Sequence, residues 1–268
     1  MKITAAEIYR SMEMIRQNAP VVHNITNYVV MNNTANALLA LGASPVMAHA
    51  AEEVEEMVNI ASALVINIGT LSESWVSSMF RAASRANKNG IPVIIDPVGA
   101  GATTFRTKTA RDLIGNNPPA VIRGNASEIM ALSDDSTRTK GVDSVAASAS
   151  AIIAARNLSE IYKCVVCVSG AVDYVVEGSE IIKVGNGHPL MTKVTGLGCT
   201  ASALCGAFAA VEKSAFTATA EAMAVMGIAG EMAAEKAAGP GSLQMHFLDY
   251  LYTISEDDIK TRMKIEDS

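Results

Sequence analysis

The chain has 268 residues, 50% of them apolar and 18% charged, with a formal charge of −6 and a pI near 5.3. That much apolar material can bury a full core, which excludes a disordered chain, and an acidic chain without a long basic run is poorly suited to nucleic acid. Four cysteines in neither zinc nor disulfide spacing, no charged-then-apolar leader and no uninterrupted run of about 20 apolar residues together predict a soluble cytoplasmic protein with no membrane association.

Aromatic residues are only 4% of the chain and small residues abound, which favours helices packed closely on a sheet. The first helix is announced by Thr4-Ala5-Ala6-Glu7, a capping-box pattern, followed by Ile8, Met12 and Ile15 at helical spacing and closed by Asn18-Ala19-Pro20. Short apolar runs predict strands at 45–48, 63–68, 92–95, 120–122 and 164–168. Their continuous apolar character means burial on both faces, as in a parallel sheet. Helices are expected between them at 28–41, stopped by Gly42, at 72–89, stopped by Gly90, and at 143–157. Residues 173–176 and 181–184 flank Glu177-Gly178-Ser179-Glu180 and read as a β-hairpin at one end of the sheet. The last third is helical at 200–211, at 217–238 and from about 244, broken by Gly239-Pro240-Gly241-Ser242, and the acidic end Glu266-Asp267-Ser268 is expected to fray. The whole is one α/β domain, 1–268, with a mostly parallel central sheet and helices on both faces.

In open parallel sheets ligands bind beyond the carboxyl ends of the strands. The residues there are Gly69-Thr70, Asp96-Pro97-Val98-Gly99-Ala100-Gly101, Arg123-Gly124-Asn125-Ala126-Ser127-Glu128 and Ser169-Gly170. Asp96 and Glu128 suit Mg²⁺, which takes carboxylates and bridges to phosphates. Arg123 suits a bidentate phosphate contact. Glu128 is equally suited to a helix start, and Arg123 to a salt bridge. In Val194-Thr195-Gly196-Leu197-Gly198-Cys199-Thr200-Ala201-Ser202, two glycines precede a helix of small residues, and the free amides of such a terminus make an anion hole. Cys199 sits where that helix begins, a position expected to lower a thiol pKa. His23-Asn24-Ile25-Thr26-Asn27 interrupts an apolar strand before a helix, so Asn27 serves either a ligand or a helix cap. Met47 lines either an aromatic-ring pocket or the core. Cys164 and Cys167 are spaced to point to opposite faces of a strand, Cys205 falls in an Ala-rich core helix, and His49, His188 and His246 lie in no metal spacing.

These segments, taken with Ala40-Leu41-Gly42-Ala43-Ser44-Pro45-Val46-Met47 and Gly239-Pro240-Gly241-Ser242, resemble the hydroxyethylthiazole kinase family from about residue 20 to 250. The resemblance implies a ribokinase-like fold and an ATP- and Mg²⁺-dependent kinase that phosphorylates the hydroxyl of 4-methyl-5-(2-hydroxyethyl)thiazole in thiamine biosynthesis and salvage. It implies a homotrimer with the thiazole pocket at a subunit boundary. By position, Asn27, Met47 and Gly196 match thiazole-binding residues, Arg123 and Ser169 nucleotide-binding residues, and Asp96 and Glu128 the metal region. Cys199 matches a position held by a catalytic Asp in the wider ribokinase superfamily. Two departures are Leu197, where the family more often has a second Thr, and Ser169 in place of the commoner Thr. Competing readings are a kinase of another hydroxymethyl heterocycle such as the thiamine pyrimidine, thiol chemistry at Cys199, and a non-catalytic thiazole or nucleotide sensor.

Overall fold

A computed structural model describes residues 3–133 and 144–267. Helix α1 (Ala5–Asn18) starts at the expected capping box and ends with Ala19 in the left-handed region, just before Pro20. Strands and helices then alternate: β1 (Val21–Ile25), α2 (Met31–Leu41), β2 (Ser44–Val46), α3 (Val54–Ile60), β3 (Ala63–Asn67), α4 (Glu73–Asn89), β4 (Val93–Asp96), α5 (Thr104–Asn116), β5 (Val121–Asn125), α6 (Ala126–Ser133), α7 (Ser144–Tyr162) and β6 (Val165–Ser169). Gly42 and Gly90 close α2 and α4 in the left-handed region, as their positions predict. The hairpin forms as β7 (Asp173–Glu177) and β8 (Glu180–Val184), and after a short 3-10 turn the chain finishes with α8 (Leu197–Ala209), α9 (Ala215–Lys236), α10 (Pro240–Thr253), α11 (Glu256–Arg262) and β9 (Ile265–Asp267).

The sheet order is β2-β1-β3-β4-β5-β6-β7-β8-β9, parallel from β2 to β6 and antiparallel from there on. Several expectations are corrected. Of the end expected to fray, Glu266 and Asp267 instead pair with β8, with Ile265 opposite Val184, and Ser268 lies outside the described residues. Helix α8 begins at Leu197, three residues before the expected Thr200, so Cys199 lies inside its first turn. Helix α10 begins at Pro240, whose fixed φ suits a first helical position. Helices α3 and α5 fall where no element was expected; they are short or weakly patterned. Of the helix expected at 143–157, Asp143 lies outside the described residues.

Side-chain alternation along the parallel strands divides the core in two. Val22, Val65, Ile94, Val121, Val165 and Cys167 face α8 and α9, whereas Ile25, Leu64, Ile66, Val93, Ile95, Ile122, Val166 and Cys164 face α4, α5 and α7. Cys164 and Cys167 thus point to opposite faces, and Cys205 is buried in the first core. Helix α8 crosses β1, β3 and β4, and α9 crosses β6, β7 and β8, with α1, α2, α10 and α11 packed outside them. Both central helices are buried nearly all round, so their sequences carry little amphipathic pattern. Among the described residues no helix is long and apolar enough to cross a membrane.

Candidate active site

The site follows from strand register. Val65, Ile94 and Val121 form one apolar row under α8, because β3, β4 and β5 are in register there. Two residues further on, with the strand period of two, the same face carries Asn67, Asp96 and Arg123, all buried. They lie where the strands end and the N-terminus of α8 begins. Ser202, in the second turn of α8, completes the row: its hydroxyl donates to Asp96 Oδ2 at 2.7 Å, and Asn67 Nδ2 donates to the same oxygen at 3.0 Å. Arg123 Nη1 lies 3.5 Å from Ser202 Oγ and 3.9 Å from Asp96 Oδ2. Burial pushes the Asp96 carboxyl up to about 6, reinforced by Glu128 and opposed by the Arg123 charge and by the bonds from Ser202 and Asn67. The Nε of Arg123 is buried with no hydrogen-bond partner.

Gly196 heads α8 at φ +86, and a β-carbon there would stand 2.8 Å from Val30 Cγ1, so the tight entry needs glycine. No side chain caps this terminus. The first intrahelical bond runs from Thr200 N to Gly196 O, which leaves the amides of Leu197, Gly198 and Cys199 as donors. A β-carbon at Gly198 would lie 3.7 Å from Arg123 Nη1, so the guanidinium sits beside these amides. Beyond them opens a cleft of about 560 Å³ lined by Arg123, Ser169, Asp173, Leu197, Gly198 and the apolar Met223 and Met226.

On the other side of the α8 terminus, Asn27 Nδ2 reaches Cys199 Sγ at 3.5 Å and Asn67 Oδ1 at 2.8 Å. Asn27 does not cap α2 directly. Its Oδ1 accepts from Val29 N in the preceding turn, and Val30 is the N-cap. The Cys199 thiol is pushed up to about 11, first by burial and then by the Asp96 charge, with bonds from Asn67 and Asn27 pulling the other way. The direction is opposite to the expected lowering, because burial and the neighbouring Asp96 charge dominate. Glu128 meets its helix-start reading, with Oε2 accepting from Asn125 N and Oε1 from Gly99 N, each at 2.8 Å. It clamps the β4–α5 loop to the start of α6.

Arg123 and Ser169 therefore line the cleft, Ser169 with its hydroxyl on Gly124 O at 3.2 Å. Asp96, Gly196, Cys199 and Asn27 converge on the α8 terminus. Met47 is the outlier: it follows β2 at the sheet margin, half-buried and outside the cleft lining. Asn67, Ser202 and Asp173 were missed. Asn67 had a signal, a polar residue in an apolar run and in phase with Val65; Ser202 had none beyond lying three residues after Cys199. Asp173 reads in the sequence only as a hairpin residue. It lies in the cleft wall, its Oδ1 accepting from Gly170 N at 2.9 Å and its carboxyl pushed by burial up to about 6.

The profile of the Hydroxyethylthiazole kinase family matches residues 12–257. The chain belongs to that family. It is 61% identical over 266 residues to the hydroxyethylthiazole kinase of Syntrophus aciditrophicus, covering 99% of this chain and 98% of that one. With the same-named protein of Leptospira biflexa it is 58% identical over 252 residues, 94% of each. The solved hydroxyethylthiazole kinase of Pyrococcus horikoshii superposes with a TM-score of 0.90 at 46% identity, covering 97% of this chain and 98% of that one. Pyridoxal kinase of Staphylococcus aureus shares the fold alone, with a TM-score of 0.65 at 16% identity over 92% of this chain and 97% of that one. The family chain is thus a kinase with a ribokinase-like α/β fold. Its mostly parallel sheet is the one expected from the sequence.

Proposed function

We propose that the chain transfers the γ-phosphoryl group of ATP to the hydroxyl of 4-methyl-5-(2-hydroxyethyl)thiazole, a step of thiamine biosynthesis and salvage. One observation carries this reading. The uncapped amides of α8 stand between a cleft with a buried arginine and a side-chain pair, Asn27 and Cys199, that can hold a hydroxyl. The base of ATP fits the apolar Met223–Met226 wall. Its phosphates run toward Arg123, Ser169 and the amide of Gly198, where aligned donors stabilise charge as it develops.

Asp96 and Glu128 suit Mg²⁺ held largely through water: their oxygens already accept from Asn67, Ser202, Gly99 and Asn125, and the described residues contain no group of three or more metal-ligating side chains. When bound, the ion offsets phosphate charge. Cys199, protonated at neutral pH, serves as a positioner of the hydroxyl rather than as a thiolate base. That is sufficient because phosphoryl transfer has a loose transition state in which alignment and electrostatics dominate.

The assembly is proposed to be a homotrimer with the thiazole site at the subunit boundary. In support, Tyr28 and Val29, directly after Asn27, are 63% and 61% exposed, so the chain by itself leaves the acceptor side open to solvent. Met47, on the same carboxyl edge of the sheet, belongs to that side.

The test is an ADP-release assay with the purified protein, ATP and the thiazole alcohol, with and without Mg²⁺. Mg²⁺-dependent ADP formation stoichiometric with phosphorylated thiazole is expected. No turnover, or preference for the hydroxymethylpyrimidine as acceptor, would overturn the assignment.

A further inference from the structure

Asn67 is a buried amide that belongs to neither ligand-facing group, yet it touches both. It ends β3 between β1 and β4 and is only 1% exposed. Its orientation is fixed by its own backbone: Gly69 N donates to Oδ1 at 2.9 Å, and a backbone N–H can only donate, so Nδ2 is the group that meets Asp96 Oδ2 at 3.0 Å. Asn27 is fixed in the same way, because Val29 N donates to its Oδ1 at 3.1 Å. Its Nδ2 therefore faces Asn67 Oδ1 at 2.8 Å and Cys199 Sγ at 3.5 Å.

The amides form one ordered chain. Asn27 donates one N–H to the Cys199 sulfur and the other to Asn67, and Asn67 donates onward to Asp96. Every bond in the chain runs in a single sense. The two asparagines have no freedom to flip without placing oxygen against oxygen or N–H against N–H. Such a network rigidifies when fully satisfied.

We infer that Asn67 is a positioning residue for the acceptor, locking the Asn27 amide, whose other N–H holds the Cys199 sulfur, so that the thiol stays aimed at the substrate hydroxyl. This rests on the proposed reading of Asn27 and Cys199 as the acceptor side. Asn67 does not line the nucleotide cleft, so its effect on ATP binding is expected to be small. Losing it releases Asn27 to rotate, and a displacement of about 1 Å at a reacting group can cost about 100-fold in rate.

The experiment is a double-mutant cycle of Asn67→Ala and Asn27→Ala, read by steady-state kinetics and by calorimetric binding of the thiazole alcohol without ATP or metal. Asn67→Ala is expected to lower kcat about 10- to 100-fold and to weaken thiazole binding, with the KM for ATP changed less than about twofold. In the Asn27→Ala background, the further loss from Asn67→Ala is expected to be clearly smaller than in the parent, since only the direct bond from Asn67 to Cys199 is left to lose. Additive losses, or equal changes in the ATP and thiazole constants, would overturn the inference. If Asn27→Ala alone left thiazole binding and turnover intact, the acceptor-site reading itself would fail, which is a separate outcome. Asn67→Ser, small and still polar, carries the same test should the alanine variant melt far below the parent.

Discussion

The Cys199 thiol supplies the sharpest test of the site, because its burial and its chemistry pull against the intuition that a helix terminus activates a cysteine. The thiol is pushed up to about 11 from an ordinary value of 9.0. At any pH below both values, it holds about 100-fold less thiolate than free cysteine, and at pH 7 about 1 molecule in 10⁴ is ionised. Alkylation follows the thiolate, so iodoacetamide should label Cys199 about 100-fold more slowly than a model thiol. The rate should climb tenfold per pH unit with no plateau up to about pH 10. The other three cysteines are buried and should stay silent, with Cys164 and Cys205 pushed up to about 12 and Cys167 well above its ordinary value. Peptide mass spectrometry of timed, pH-stepped labelling reads Cys199 by itself. The kinetic counterpart is that kcat between pH 6 and 9 does not rise tenfold per unit. Cys199→Ala slows turnover by about 10- to 100-fold, the low range for loss of an acid–base group, and Cys199→Asp stays active. A labelling plateau near pH 7 to 8, together with a kcat limb at the same pH that Cys199→Ala abolishes, would refute the positioning role and restore the thiolate base.

Three further outcomes are expected. Arg123→Ala leaves Asp96 buried without its cation and should cost about 3–5 kcal/mol in urea unfolding; Arg123→Lys, which keeps the charge and loses the fork, should raise the KM for ATP more than that for the thiazole, and equal rises would count against the assignment. Gly227→Ala puts a β-carbon 2.6 Å from the backbone of Asn186, a residue pinned by its side chain to Arg262 O and Lys264 N at 2.8 Å each, so it should lose about 1–3 kcal/mol and raise the KM for ATP as the cleft wall shifts. Glu221 in α9, facing Ser11, Glu7 and Arg10 of α1 and Glu212 beyond α8, is pushed by burial up to about 7. The folded chain therefore holds a proton that the unfolded chain releases near 4.5, and the associated stability is lost as pH rises from there through about 7. Glu221→Gln should be more stable than the parent by about 1–3 kcal/mol at pH 8 and nearly equal to it at pH 4.5, and a difference independent of pH would sink the argument.

The sequence by itself determined the architecture and most of the site's membership. Short apolar runs alternating with longer helical segments and bounded by glycine stops point to strands buried on both faces, and so to a parallel sheet with helices on each side. The Gly-turn-helix at Gly196 and the polar residues after each run mark the ligand edge in the sequence alone. Chain pattern could not set what depends on distance across the sheet. That Asn67 and Ser202 join Asp96 is a matter of register and of where α8 crosses β3 and β4. That Cys199 is a weak acid rather than an activated thiol is decided by how much low-dielectric material surrounds it, a quantity that local sequence does not encode. Glu128 likewise reads as a metal ligand or a helix start until folding brings the Gly99 and Asn125 amides to its two oxygens. Glu266 and Asp267 turn from a loose acidic end into a strand because β8 offers them an unpaired edge. Local sequence fixes what each segment can be; contacts between segments far apart in the chain fix what each polar group does.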